Sequence, residues 1–386
     1  MQHRMIVRRV LSNGLRCYYF RDPPFVAYCR GAEAYTNGPK WPSGKAMSRT
    51  VDLLAKAGLV ESFIGKRQVS SSYRATEALC GIALATGMTG HRFIHRSQMD
   101  GVVRLRQGNS STPRVAFAAT DDTIRWERQL RAYNAFLSQQ DVQITLSPEE
   151  AAEWVRHWNK KKRQGAVRLC RPELFQTELY RQFNNASFEQ GGRMYGGWWI
   201  DAPKTLRSKI TINGQPTAEL DFSGCAIRML YHERGLECLG DTYRLDEIAE
   251  YEAQAGLPPD HFREGVKAIT QALINDKDGK APEQINLDDG LSFRPRFKRL
   301  EVRKMIENKH VLIADAFRTG AGLRLQRKDS DLALDIISEL MHRKIVALPI
   351  HDSFLVGRDR VAETKITMAM TYKKMFGFYP VIKLKG

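Results

Sequence analysis

The chain has little cysteine and none of it is spaced as a pair. Its six cysteines (Cys17, Cys29, Cys80, Cys170, Cys225 and Cys238) contain no CxxC among 386 residues. That argues against a zinc knuckle and a disulfide framework, and predicts ordinary reduced thiols. No run of about 18 apolar residues exists, which excludes a spanning helix on length alone. Behind Met1, Arg4, Arg8 and Arg9 there is no apolar signal core, so the expectation is a soluble, cytoplasmic protein with no membrane partner. A Gly-x-x-x-x-Gly-Lys-Ser/Thr loop is missing, so no helicase motor is indicated. Internal repeats and extended low-complexity tracts are absent as well.

Negative charge is in short supply too. Sixty Lys and Arg against 43 Asp and Glu leave +17 on a chain that is 42% hydrophobic. That apolar share excludes a disordered basic tail, and the length predicts two or three domains with a substantial core. The excess makes polyphosphate the natural partner, because neutralising phosphates releases condensed counterions. Residues 1–185 carry +14 of it and residues 186–386 carry +3, so the two halves do different work.

Residues 1–120 are expected to form an N-terminal domain. Within it, Ser48–Ala57 has an apolar stripe of Val51, Leu53 and Leu54 and stops at Gly58. Two extended pieces follow, Leu59–Ile64 and Val69–Tyr73, around a turn bearing Lys66 and Arg67, and a new helix is expected from Arg74. From about residue 40 to about residue 90 this order resembles winged helix-turn-helix proteins. The resemblance implies DNA contact by the first helix and by Lys66 and Arg67. The same order also suits a plain helix-hairpin-helix scaffold.

Residues 121–185 read as a connector, helical and then extended, followed by basic helices. Ser147-Pro148-Glu149-Glu150 has an N-cap, a proline at the first helical position and acids in the first turn. The helix it starts carries Trp154 and Trp158 among cations and runs into Lys160, Lys161, Lys162 and Arg163. Such a run suits a nucleic-acid backbone, and equally a solvated face with the tryptophans packed inward.

The chemistry is concentrated in residues 186–386. Asn213-Gly214 between two alternating runs predicts a tight hairpin whose second strand ends on Asp221. Far downstream, two apolar strands in Lys344–Gly357 flank a polar turn, His351-Asp352-Ser353. Two aspartates at the tips of adjacent strands can hold a pair of Mg2+ ions, or Mn2+, about 3.5–4 Å apart for phosphoryl transfer. Between them, Arg263 and Lys267 stand four residues apart, on one face of a helix, where they can clamp a triphosphate. Such pairs are common on exposed helices, and this one draws its weight from its place between the aspartates.

Asp221-Phe222-Ser223-Gly224-Cys225-Ala226-Ile227-Arg228 resembles motif A of family A DNA polymerases, Arg263 through Asn275 resembles motif B, and His351-Asp352-Ser353 resembles motif C, in that order. Glu189-Gln190-Gly191-Gly192-Arg193 is similar to an acidic-x-x-Gly-Arg motif shared with single-subunit, phage-type RNA polymerases. Leu325–Ala333 resembles the segment ahead of motif C. Together these span about 200 residues. The resemblance implies an α+β right hand, with palm and fingers in 186–386 and a thumb in 147–185, preceded by the small winged-helix-like domain. By the same resemblance Asp221 and Asp352 are catalytic metal ligands, and Lys267 protonates the leaving pyrophosphate. Arg263, Lys267, Gln271, Ala226 and Phe222 would bind the nucleoside triphosphate, while Arg193 and Gln326 would steady a DNA or RNA template-primer. His351 would orient the growing 3′ end or simply complete the turn. Tyr195, Trp198 and Trp199 suit either base stacking or the core.

Departures from the family bear on the substrate. Ser353 replaces the glutamate of the DNA polymerase branch, and Ala226 stands where a bulky glutamate excludes the ribose 2′-hydroxyl. Gln271 and Asn275 replace the aromatic residues of motif B. The expectation is a ribonucleotide-tolerant nucleotidyltransferase resembling a primase or small RNA polymerase. The alternatives are a family A-like DNA polymerase without proofreading, or a winged-helix DNA-binding regulator or replication initiator with an inactive palm. A two-carboxylate nuclease would have no use for the triphosphate clamp. A compact polymerase with a DNA-binding module suggests a virus, plasmid or other mobile element.

Overall fold

The computed structural model describes residues 7, 10–11, 26–28, 44–65, 71–86, 101–109, 112–147, 149–150, 153–154, 177–277, 293 and 296–385. Lys66, Arg67, Lys160, Lys161, Lys162 and Arg163 lie outside the described residues. The fold is mixed, with helices and several separate sheets. It divides into two compact units: residues 1–100, 143–177 and 201–209 in one, residues 101–142, 178–200 and 210–386 in the other. Residues 101–142, read from the sequence as the end of one domain and the start of a connector, therefore pack with the C-terminal half. None of the described helices is long and apolar enough to cross a membrane.

The first unit contains β1 (Val26–Tyr28), α1 (Gly44–Lys56), β2 (Val60–Phe63), β3 (Ser71–Ala75) and α2 (Glu77–Ala85). Its antiparallel sheet has the order β1-β3-β2. Val51, Val60, Tyr73, Leu79 and Ala83 form the core, at most 4% exposed. Strand β3 runs through Arg74, where a helix was expected to start. Ser71, Tyr73 and Ala75 alternate inward, so the period of two continues to Ala75 and the helix waits until Glu77. In the same unit Ser147 and Glu150 cap reciprocally: Glu150 N donates to Ser147 Oγ at 3.3 Å and Ser147 N to Glu150 Oε2 at 2.9 Å. Trp154 is buried, so of the two readings of that aromatic the inward one holds.

The second unit carries two sheets. One has the order β5-β4-β6-β7, built from β4 (Val103–Arg106), β5 (Arg114–Val115), β6 (Tyr180–Phe183) and β7 (Gly191–Tyr195), with α3 (Asp121–Leu137) between them in sequence. The other is centred on β9 (Gln215–Phe222). Strand β8 (Ile210–Ile212) turns into β9 through Asn213 and Gly214, whose φ values of 52° and 76° make the expected tight turn. Then come α4 (Cys225–His232), α5 (Asp246–Gln254), α6 (Arg263–Asn275), α7 (Arg299–Lys309) and α8 (Ala321–His342). The chain ends its regular structure with the hairpin β10 (Ala347–Ile350) and β11 (Ser353–Gly357), then α9 (Val361–Phe376) and β12 (Ile382–Lys385).

Strand β11 pairs antiparallel with both β10 and β9, and β12 pairs with the far half of β9. Every residue of β10 and β11 is buried, as their unbroken apolar runs predict. Pro349 is tolerated because β10 is an edge strand, so its missing N–H breaks no ladder. The free carbonyls on that edge are satisfied from outside the sheet: Tyr133 Oη donates to Ala347 O at 2.5 Å and Trp199 Nε1 to Pro349 O at 3.1 Å. Trp198 and Trp199 are thus core residues, no more than 4% exposed.

Candidate active site

Two aspartates 131 positions apart in sequence meet because of strand register. Asp221 lies opposite Ser353 in the β9–β11 ladder, next to Asp352 in the two-residue turn of the β10–β11 hairpin. The backbone ties them: Phe222 N donates to Asp352 O at 3.2 Å. His351, the first turn residue, takes a φ of 56°, which closes the turn in two residues. Burial raises the Asp221 carboxyl above its ordinary range, and the neighbouring Asp352 charge adds to the rise. Phe222 does not join the pair. As the next residue along β9 it points to the opposite face, 5.5 Å from the Tyr372 ring.

Three further charged residues surround these aspartates. Glu219, two residues before Asp221 and so on the same face, accepts from Ser353 Oγ at 2.7 Å. Lys385 on β12 bridges them, with Nζ 2.9 Å from Asp221 Oδ1 and 3.0 Å from Glu219 Oε1. Burial works against the Lys385 charge, but the two carboxylates prevail and its pKa stands above the ordinary lysine value. Asp329 on α8 is buried, with Arg193 Nε 3.5 Å from its Oδ2. Desolvation pushes Asp329 up to about 7; Arg193 opposes this rise and Asp352 adds to it. Arg193 therefore reaches the aspartate pair through Asp329. Gln326 sits three residues earlier on α8, partly exposed.

The Gly-Gly-Arg segment is legible in atomic terms. Gly192 has a φ of 80°, and a Cβ there would come within 2.8 Å of the Phe183 ring and 3.0 Å of Arg181 Nη2. Its carbonyl accepts from Arg181 Nε at 2.9 Å and from Ser330 Oγ. Only glycine takes this φ so close to Phe183 and Arg181 of β6, and its carbonyl ties β7 to Ser330 of α8, one residue from Asp329. Beyond Arg193, Tyr195 stacks on Tyr180 with centroids 5.9 Å apart and meets the His351 ring edge-on at 6.5 Å.

Helix α6 carries Arg263, Lys267 and Gln271. Arg263 is held by Asp241, with Nη2 to Oδ2 at 3.0 Å, and its guanidinium lies 5.3 Å from the Tyr243 ring centroid. Lys267 is freer, 41% exposed, with its Nζ 3.7 Å from Glu264. Gln271 Nε2 donates to Tyr243 Oη at 3.3 Å. Burial pushes the Tyr243 phenol up to about 12, with the Asp352 charge contributing. Tyr243 thus stands between the helix and the aspartates. Strand β12 makes a second link: Lys383 lies 3.8 Å from Asp241, two residues before Lys385 at Asp221. Two residues along a strand span about 7 Å. The anchor of Arg263 and the carboxylate pair therefore meet alternate lysines on one face of β12. Ala226 follows on α4, partly exposed.

Arg228 secures the frame from below. It donates from Nε to Ser223 O at 3.0 Å and from Nη2 to Gly240 O at 2.7 Å, and also binds Cys238 O. That pins the 238–243 loop to the start of α4. Cys80, Cys225 and Cys238 are free buried thiols, as expected of reduced cysteines.

Among the described residues no three His, Cys, Asp or Glu side chains close into a metal cage. The aspartate pair nonetheless suits Mg2+, which typically takes one or two carboxylates and completes its shell with water and substrate phosphates. Burial and the like charge of Asp352 raise Asp221, and Lys385 offsets only part of that rise. Asp221, Asp352, Arg263, Arg193 and Gln271 thus belong to one connected neighbourhood. Glu219, Asp241, Tyr243, Asp329 and Lys385 join it without having been singled out in the sequence. Glu219 carried a signal, since alternate strand residues share a face, and so did Asp329, one helical turn from Gln326. Lys385 carried none. No protein-family model matches this chain, and no curated protein matches it.

Proposed function

We propose that this protein is a template-directed nucleotidyltransferase with a palm of the family A polymerase type, tolerant of ribonucleotides. The observation that carries the reading is the β9–β11 register, which joins Asp221 to Asp352 at one end of a sheet with the Arg263 helix beside it. In this reading the β8–β12 sheet is the palm and α5 to α7 belong to the fingers. The winged-helix-like order of the first unit suits a DNA-binding module.

Asp221 and Asp352 would hold Mg2+, which when bound activates the attacking hydroxyl and stabilises the leaving oxygens. The chain's own groups do the rest. Arg263, oriented by Asp241, binds the triphosphate; the 3′-hydroxyl oxygen, losing its proton to solvent, bonds to the α-phosphorus as the α–β P–O bond breaks, and Lys267 delivers a proton to the departing pyrophosphate. Arg193, steadied by Asp329, contacts the template-primer, with Gln326 near it on α8. Ala226 leaves room for a 2′-hydroxyl.

The test is incorporation of labelled NTPs or dNTPs on single-stranded template with Mg2+ or Mn2+, with and without primer. The wild type should incorporate label, NTPs included, and Asp352→Ala should abolish it. No incorporation under any combination refutes the reading, and incorporation of dNTPs alone refutes the open sugar gate.

A further inference from the structure

The ammonium of Lys385 lies against one carboxylate of the aspartate pair. Its Nζ is within 3.0 Å of oxygens from both Asp221 and Glu219. A lysine ammonium is a compact charge with three donors, so it can serve both carboxylates at once. The two acceptors differ. Glu219 is buried and also held by Ser353 Oγ at 2.7 Å, whereas Asp221 stands beside Asp352 at the open end of the ladder, 20% exposed. One partner is therefore fixed and the other is the carboxylate read above as a metal ligand. Strand β12 holds the lysine by its ladder to β9, in which Lys385 lies opposite Glu219 and Lys383 opposite Asp221.

We propose that Lys385 is a resident counter-ion of the carboxylate pair that competes with a divalent cation for Asp221. Loading the cation moves the ammonium onto Glu219 alone, and Glu219, with Ser353, is the station built to receive it. Glu219 and Ser353 thereby set a threshold for metal loading. Lys385 is a positioning residue acting through Asp221, and the proposal rests on the reading of Asp221 and Asp352 as metal carboxylates.

Binding of Mn2+ to the nucleotide-free full chain, read from the electron paramagnetic resonance of free Mn2+, tests this without catalysis. Lys385→Met removes the charge, Lys385→Gln removes it but keeps a donor, and Lys385→Arg keeps it. The first two should tighten Mn2+ binding about tenfold, the scale on which one local charge tunes such sites. They should also lower the Mg2+ concentration for half-maximal nucleotide incorporation, while Lys385→Arg stays near wild type. Thermal melting checks that each variant folds, and Asp221→Ala should remove the response. Unchanged or weaker Mn2+ binding in the folded Met and Gln variants overturns the proposal, as does absence of Mn2+ binding altogether. A tenfold shift without nucleotide incorporation would uphold the counter-ion and defeat the polymerase reading. Incorporation with no shift would do the reverse.

Discussion

Gly224→Ala offers a sharp test of how the turn from Asp221 into α4 is built. Gly224 caps α4 with φ 63° and ψ 33°, three residues after Asp221. An alanine in that left-handed region costs roughly 1–2 kcal/mol. Its Cβ would also fall 2.3 Å from Thr242 Oγ1, 2.8 Å from Cγ2 and 3.1 Å from Cβ. Thr242 cannot easily retreat, because it is buried and its carbonyl accepts from His310 Nε2 at 2.9 Å. Overpacking of this kind costs about 1–3 kcal/mol, giving a total of about 2–5 kcal/mol. The three nearest atoms all belong to Thr242, so Thr242→Ala should relieve most of the clash and leave the backbone strain. A double-mutant cycle by urea unfolding should then show a coupling of about 1–3 kcal/mol in favour of the double variant. The nucleotide incorporation proposed above should recover in parallel, since Thr242 precedes the tyrosine that meets Arg263 and Gln271. Additivity within about 0.5 kcal/mol would refute the close approach of the 238–243 loop to Gly224.

Two further outcomes follow from buried charges. Asp329 is raised from 3.8 to about 7 in the fold, chiefly by desolvation, so between those values the native state holds a proton that the unfolded chain has released. Its contribution is complete below about 4 and is lost as pH rises through about 7. In chelator, Asp329→Asn should gain stability relative to wild type from pH 4 to pH 8, and parallel stability curves would contradict this. Arg181 is fully buried, with Nη2 2.9 Å from Asp331 Oδ1 and Arg327 close by on the same carboxylate. Asp331→Asn strands two cations and should cost about 3–5 kcal/mol by urea titration, followed by the fluorescence of the nearby Trp126. A loss below about 1 kcal/mol would mean that Arg181 is neutralised elsewhere.

Local physics was legible in the sequence where it was decided locally. Asn213-Gly214 specifies its turn because both positions need positive φ, and the continuous apolar runs around His351-Asp352 specify a buried hairpin whose tip must be polar. Arg263 and Lys267 share a helix face by periodicity alone. Glu219 was within reach of the same reasoning, as a second acid on the face of Asp221. What the sequence could not decide was whatever depends on pairing between distant segments. That Phe222 turns away from the pair follows from strand alternation only once β9 is known to carry Asp221 on its other face. Lys385 meets Asp221 because β12 adds to β9 from 164 residues away, and no local pattern encodes that partner. Asp241 and Tyr243 reach Arg263 because Arg228 ties their loop to α4, and Asp329 reaches Arg193 because the Gly192 carbonyl ties a strand to Ser330 on α8. Periodicity and turn chemistry act over a few residues and so determined the elements and the chemistry they carry. Register, close approach and charge compensation act between segments, and only the tertiary structure decided which charges surround the two aspartates.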